Sequence, residues 1–395
     1  ILDSVATVMG EDAPYIPAAV EETASAAMAR GTVPALWPYR VFAPDMPLLA
    51  RSFDHYHAQW IAPFEGAYQH RQGQYWPYGG IELAPAYLRL GRGDVLPFWF
   101  GESDEGTPEA VRAAAIASLQ AGETFYSHNL GLPELRQAVA DYASLLHGPV
   151  AVERIAITSG GVNALMLAMQ ALIDAGDEVV AVTPVWPNLT AQPIILGARL
   201  RCVALQPQAN GAWTLDLPAL LAAITPQTRL LVVNAPNNPT GWTLSRAEQQ
   251  AILARCRETG TWILSDEVYE RLYYAGDTAL GAAPSFLDIA DAHDRLVVVQ
   301  SFSKSFLMTG WRLGWLVLPR AAMDAVGKLL EFNSSCAPVF VQRGGQAALA
   351  LADDFVPGLV ARLRVCRDRL VAGLQALPGV TVASPPGGLY AFLSL

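Results

Sequence analysis

The run Ser301-Phe302-Ser303-Lys304 puts an amine at the end of an apolar stretch, beside hydroxyls. A lysine placed there can lose its proton and act as an amine nucleophile. Of the 26 basic residues in the chain, only Lys304 and Lys328 are lysine. Guanidinium stays charged and forms no Schiff base, so a lysine in a chain that otherwise uses arginine points to chemistry. The alternative is a lysine left there by composition. Lys328 falls in a helical pattern and reads as a surface residue. Asp266 ends the apolar run TWILS, where a desolvated carboxylate is costly unless it meets a cation. Tyr269 could turn its phenol into the same cavity, or could be an ordinary core tyrosine. Ser159, Gly160, Gly161 and Val162 link a strand to a helix. Glycines there let backbone N–H groups converge on an anion at the positive helix end, although a glycine pair can equally just make the turn. The segment is neither a Walker A loop nor G-x-G-x-x-G. NAPNNPTG, residues 234–241, is dense in turn-formers and by itself reads as a loop.

These residues need a scaffold, and from about residue 150 the chain supplies one. Short β-branched runs at 154–158, 178–182, 199–205, 229–234, 261–265, 295–300 and 313–318 alternate with amphipathic stretches such as 162–175, 245–259 and 321–332. Continuous apolar strands separated by helices imply an α/β fold with a mostly parallel seven-stranded sheet covered on both faces. Ligands bind outside the carboxyl ends of such strands. SGGVNA, NAPNNPTG, SDEVY and SFSK all follow strands, so they are the segments to interpret. A last helical stretch, about 342–377, leads into VTVASPPGGLYAFLSL.

At 395 residues, the chain exceeds the roughly 250–300 at which single cores stop growing, so two domains are expected. An apolar content of 52% excludes disorder, and no stretch reaches the roughly 18 apolar residues of a membrane span. A net charge of −10 without a basic run argues against nucleic-acid or anionic-membrane partners. Four scattered cysteines suit neither a zinc site nor a disulfide framework, and no metal is expected. That cysteine usage fits a reducing cytoplasm, which is the expected location, and the N-terminal residues, with no basic n-region, do not read as a secretory signal.

In this order and spacing, NAPNNPTG, SDEVYERLYY and SFSKSFLMTGWRLGW resemble the signature segments of the class I/II aminotransferases, pyridoxal-phosphate enzymes of fold type I. The likeness runs from about Ile81 to Leu395. It implies that Lys304 holds pyridoxal 5'-phosphate as a Schiff base and then moves protons as base and acid. Asp266 would pair with the pyridine nitrogen and keep it protonated, making the ring an electron sink. Tyr269 and Asn238 would hydrogen-bond the ring 3'-oxygen. Ser301, Ser303 and Arg312 would hold the phosphate, together with the backbone of Gly160, Gly161 and Val162. Trp186 would stack on the ring. Tyr126 would reach the phosphate of a neighbouring subunit's site, implying a homodimer. Gly101 would lie near the substrate carboxylate. The substrates would be an amino acid and a 2-oxo acid.

The same likeness divides the chain into an unassigned extension at 1–75, a smaller α+β domain from 76–125 and 333–395, and a large cofactor-binding domain at 126–332. Two departures stand out. The family's GxPD segment reads GESD here, with Ser103 replacing proline. The family also usually continues beyond the GG-[FL]-Y strand, into a portion that carries the arginine for the substrate α-carboxylate. Either such a tail is missing from this chain, or another segment, such as 1–75, substitutes for it. No arginine is therefore assigned that role. Trp99 and Phe100 suggest an apolar pocket or simply a buried strand.

Competing readings keep the cofactor but change the outcome, as in C–S lyases or decarboxylases of the same fold. A regulator built on the same domain would need a basic N-terminal module. Residues 1–75 instead carry four arginines, no lysine and eight acids.

Overall fold

A computed structural model of the chain describes residues 101–275 and 281–394. Apart from Gly101, these lie within one unit, Glu102–Leu395. The expectations for residues 1–75, for 76–100 and for the pocket role of Trp99 and Phe100 lie outside the described residues.

Seven strands form one sheet: β1 Ile155–Thr158, β2 Glu178–Thr183, β3 Arg199–Ala204, β4 Thr228–Asn234, β5 Trp262–Asp266, β6 Leu296–Ser301 and β7 Gly314–Val317. Their order is β1-β7-β6-β5-β4-β2-β3. All neighbours run parallel except β7, which is antiparallel to both β1 and β6. Six of the strands are apolar and largely buried, as expected of a sheet covered on both faces. The seventh, β3, is mostly exposed at the sheet edge. Its Arg199 and Arg201 place charge where unpaired backbone groups would otherwise recruit another strand.

Nine helices lie among the described residues: α1 Glu109–Gln120, α2 Pro133–His147, α3 Gly161–Leu172, α4 Asn188–Ile195, α5 Leu217–Ala223, α6 Arg246–Thr259, α7 Arg320–Asn333, α8 Val339–Ala350 and α9 Ala352–Gln375. Alternate strand residues feed two cores. Val180, Val182, Leu231, Ile263 and Val298 pack with Leu135 and Val139 of α2, Ile252 of α6 and Val341 of α8. Their neighbours Val179, Ala181, Leu230, Leu264 and Val297 pack with Leu165 and Leu167 of α3 and Val326 of α7. Each fully buried aliphatic side chain contributes about 1.5–3 kcal/mol, so the sheet is a rigid base for whatever its edge carries.

Helix ends follow their sequence signals. Ser245 and Glu248 form a reciprocal capping box at the start of α6, and Gly260 closes it in the left-handed conformation. The helical stretch expected at 342–377 is two helices, broken at Leu351. No helix among the described residues is long and apolar enough to cross a membrane. Among the same residues, no group of three or more His, Cys, Asp or Glu could hold a metal ion.

Candidate active site

Strand register lines up the chemistry. Thr158 of β1 and Ser301 of β6 both pair with Gly314, the first residue of β7. Two strands along, Asp266 at the end of β5 pairs with Asn234 at the end of β4. The polar segments expected to matter therefore share one edge of the sheet.

At one end of that edge is an anion cradle. Gly160 caps the N-terminus of α3 with φ 95°, a conformation that strains any residue with a Cβ. A Cβ at Gly160 would also stand 2.5 Å from the Arg312 guanidinium, so the glycine is what lets Arg312 lie against the turn. Arg312 Nη1 donates to the Thr309 carbonyl at 2.7 Å. A Cβ on Gly161 would sit 3.5 Å from Ser301 Cβ. Ser301 Oγ lies 2.9 Å from Ser303 Oγ and accepts the Ser303 N–H at 3.1 Å. Guanidinium, hydroxyls and a positive helix end thus converge as an anion site requires. Val162, the next residue of α3, is partly exposed.

Gly314 makes the cradle possible. A Cβ there would lie 2.8 Å from the Gln300 carbonyl oxygen and 3.0 Å from backbone atoms of Gly160 and Gly161. None of these can swing away. Gly314→Ala is expected to cost about 1–3 kcal/mol in thermal or denaturant unfolding and to weaken anion binding at the cradle. Gly310→Ala, whose Cβ would meet nothing within 4 Å, serves as the control and should change neither.

Lys304 sits on the turn after β6. Phe302 and Phe306 pin that turn into the core, their rings 5.5 Å apart and Phe302 4.9 Å from Trp315. The lysine is half-buried, and its Nζ lies 5.7 Å from the centre of the Tyr269 ring. Burial lowers its pKa. Glu102 and Asp266 oppose that shift, and Arg312 adds to it. Glu102, Ser103, Leu307, Thr309 and Leu389 line the pocket beside it.

Asp266 is 2% exposed. Desolvation pushes its pKa up to about 7, against the Val268 N–H and the charge of Lys304. A carboxyl so placed is poised to take a cationic partner. The loop after β4 is stitched to it: Asn234 Nδ2 donates to the Asp266 carbonyl at 3.0 Å, and Asn234 Oδ1 accepts the Asn238 N–H at 2.7 Å. Asn238 Nδ2 reaches the Tyr390 hydroxyl at 3.1 Å, and that hydroxyl meets Tyr269 Oη at 2.7 Å.

The structure therefore brings together Lys304, Asp266, Tyr269, Asn238, Ser301, Ser303, Arg312, Gly160 and Gly161. Trp186, at the C-terminal end of β2, is half-buried against the α3 side of the sheet. Tyr126 is 89% exposed and is not among the residues lining the Lys304 pocket. Gly101 directly precedes Glu102 and Ser103 of that pocket. Sequence reasoning assigned no role to Tyr390 or Gly314. The GGLY and RLGW segments carrying them were visible, but their partners were not.

Fold and site together are those of a fold type I transferase. The family aminotransferase class I and II matches residues 93–395. An aspartate aminotransferase of Musicola paradisiaca is 32% identical over 75% of this chain and 73% of its own length. A valine–pyruvate aminotransferase of Mycobacterium tuberculosis is 35% identical over 79% of each. Among solved structures, the Thermus thermophilus aspartate aminotransferase with maleate matches with a TM-score of 0.73 and 31% identity, covering 80% of this chain and 81% of that one. The chain belongs to the class I and II aminotransferases, pyridoxal-phosphate-dependent enzymes that move an amino group from an amino acid to a 2-oxo acid.

Proposed function

We propose that this aminotransferase carries pyridoxal phosphate on Lys304. The observation behind this reading is the placement of the Lys304 amine between a buried carboxylate and an anion cradle on one sheet edge. The donor set fits the cofactor at both ends. Arg312, Ser301, Ser303 and the start of α3 suit a phosphate dianion, while Asp266, costly to ionise where it stands, suits a protonated ring nitrogen.

Bound there, the cofactor supplies a carbonyl that condenses with amines and a ring that accepts the electron pair released at the substrate Cα. The protein's residues do the rest. Asp266 keeps the ring nitrogen protonated. Asn238 and Tyr269 would donate hydrogen bonds to the 3'-oxygen, with Tyr390, bonded to both, orienting them. The N–H groups of Gly161 and Val162 would hold the phosphate, and Trp186 would stack on the ring. Lys304, its pKa lowered by burial, holds and moves the proton at the substrate Cα. Gly101 lies beside the substrate carboxylate.

Tyr126, exposed beside the equally exposed Phe125, would reach the phosphate in a partner subunit, so the proposed assembly is a homodimer. The proposed large domain is 126–332, with 76–125 and 333–395 forming the smaller one. Four free cysteines suit a reducing cytoplasm.

Purified protein is expected to be yellow, and borohydride reduction followed by peptide mapping should place the cofactor on Lys304. A label on any other residue overturns the assignment. Assays with 2-oxoglutarate and acidic, aromatic, branched or sulfur amino acids read donor preference. Release of pyruvate and ammonia without an acceptor would instead indicate an eliminating enzyme.

A further inference from the structure

The turn leaving β5 sends its side chains in two directions. Asp266 and Tyr269 serve the site, whereas Glu267 and Glu270, 2% and 5% exposed, enter a buried polar cluster. Glu267 Oε1 accepts from Ser265 Oγ at 2.7 Å and from the Phe286 N–H at 3.3 Å, and its Oε2 accepts from Ser285 Oγ at 2.6 Å. Glu270 Oε2 lies 2.9 Å from Nε2 of His147, the last residue of α2. His147 Nδ1 lies 2.7 Å from Asp288 Oδ1. Asp288 Oδ2 accepts the Ser285 N–H at 3.0 Å and is paired with the Arg246 guanidinium at the start of α6. Further charged or titratable neighbours among the described residues are Tyr142 of α2 and Arg271, joined at 3.2 Å, and Asp353 of α9, whose charge acts on Tyr142.

Each imidazole nitrogen of His147 faces a carboxylate, so the ring serves best as a doubly donating cation. Burial opposes that charge, but the hydrogen bonds to Asp288 and Glu270 outweigh it and push the His147 pKa up to about 10. Burying so many ionisable groups is costly, and apolar side chains could fill the same space. What the cluster adds is direction. The end of α2 grips Glu270 through His147, the Ser285–Asp288 turn grips Glu267, and Arg246 of α6 braces that turn through Asp288. Glu267 directly follows Asp266, and Glu267 and Glu270 flank Val268 and Tyr269. Withdrawing Asp266 or Tyr269 from the site would drag Glu267 and Glu270 out of their bonds.

We propose that Glu267, Glu270 and His147, braced by Asp288, are positioning residues that hold Asp266 and Tyr269 against the cofactor ring. This rests on the reading of Lys304, Asp266 and Tyr269 given above. None of the positioning residues touches a reacting atom.

The test uses the holoenzyme and follows the pH midpoint of the Lys304-linked chromophore, the cofactor release rate and the melting temperature. The variants are His147→Gln, Glu270→Gln, the double variant, and Val139→Ala as a buried control on the same helix. A charge acting through space would shift the midpoint in opposite directions when a positive and a negative group are removed. Positioning shifts it in the same direction in both single variants. It also speeds cofactor release about ten-fold in each and is at least half restored in the double variant, where two amides rebuild a neutral hydrogen bond. Val139→Ala should lower the melting temperature without moving the other two readings. Opposite shifts, or single variants that only melt earlier, overturn the proposal. If His147→Gln does not fold, Glu267→Gln, which keeps the side-chain volume, is read in its place by the same release rate and midpoint. Wild-type chromophore that maps away from Lys304 would instead defeat the site assignment on which the proposal stands.

Discussion

Lys304→Ala is expected to hold no covalent cofactor and to lower kcat on the order of 10^4-fold or more. In the proposed role two functions are lost together, the covalent anchor and the group that moves the Cα proton. Lys328 cannot substitute, because it sits on the exposed side of α7 paired with Glu331 at 3.0 Å. Lys304→Arg should fail equally, since guanidinium neither condenses with a carbonyl nor gives up its proton at accessible pH. The alanine variant should remain folded, because the turn is held by Phe302 and Phe306 and the lost group is a desolvated amine. Single-turnover kinetics and a melting curve check both statements. Activity within ten-fold of wild type would remove Lys304 from the mechanism.

Asp266→Asn should lower kcat on the order of 10^3-fold while leaving the Lys304 linkage in place. The amide fits the same space but cannot keep a ring nitrogen protonated. A second signature distinguishes Asp266 from an ordinary surface acid. Burial raises its pKa from 3.8 to about 7 in the folded protein, so the unfolded chain releases this proton first. In cofactor-free protein, Asp266 therefore erodes stability as pH rises from 3.8 toward 7, and the loss is complete above that range. Asp266→Asn removes the erosion, so the cofactor-free variant should gain on wild type across that window. A cationic partner reverses the sign by holding the carboxylate charged, so the cofactor should stabilise wild type more at neutral than at acid pH. Equal pH profiles for the two cofactor-free proteins would show that Asp266 is not desolvated.

The sheet was legible because six of its seven strands are buried and so appear as mainly apolar runs, with each chemical segment directly behind one. Lys304 stood out because SFSKSFLMTGWRLGW follows an apolar strand, and the scarcity of lysine only narrowed the choice to two residues. Tyr390 was harder to read: its hydroxyl matters only through Tyr269 and Asn238, which lie far away along the chain. Gly314 was hidden for a related reason, since its lack of a Cβ is needed by backbone from another strand-to-helix turn. Glu267 and Glu270 stood in plain view within SDEVYERLYY, yet nothing local pairs them with His147 and Asp288. The break between α8 and α9 misled in the opposite sense. Pro357 lies inside α9, while the interruption falls at Leu351, where no proline or glycine marks it.

The one reversed strand has a consequence of its own. Because β7 starts where β6 ends, the chain between them leaves and rejoins the same edge, and its base is closed by the Phe302 N–H on the Leu313 carbonyl at 3.1 Å. Lys304 and Arg312 both hang on that closed loop. The backbone positions of amine and guanidinium are thus set together, by one short closed stretch of chain. In the proposed role, a cofactor joined to Lys304 at one end and held through its phosphate by Arg312 at the other would draw both of its attachments from that one loop.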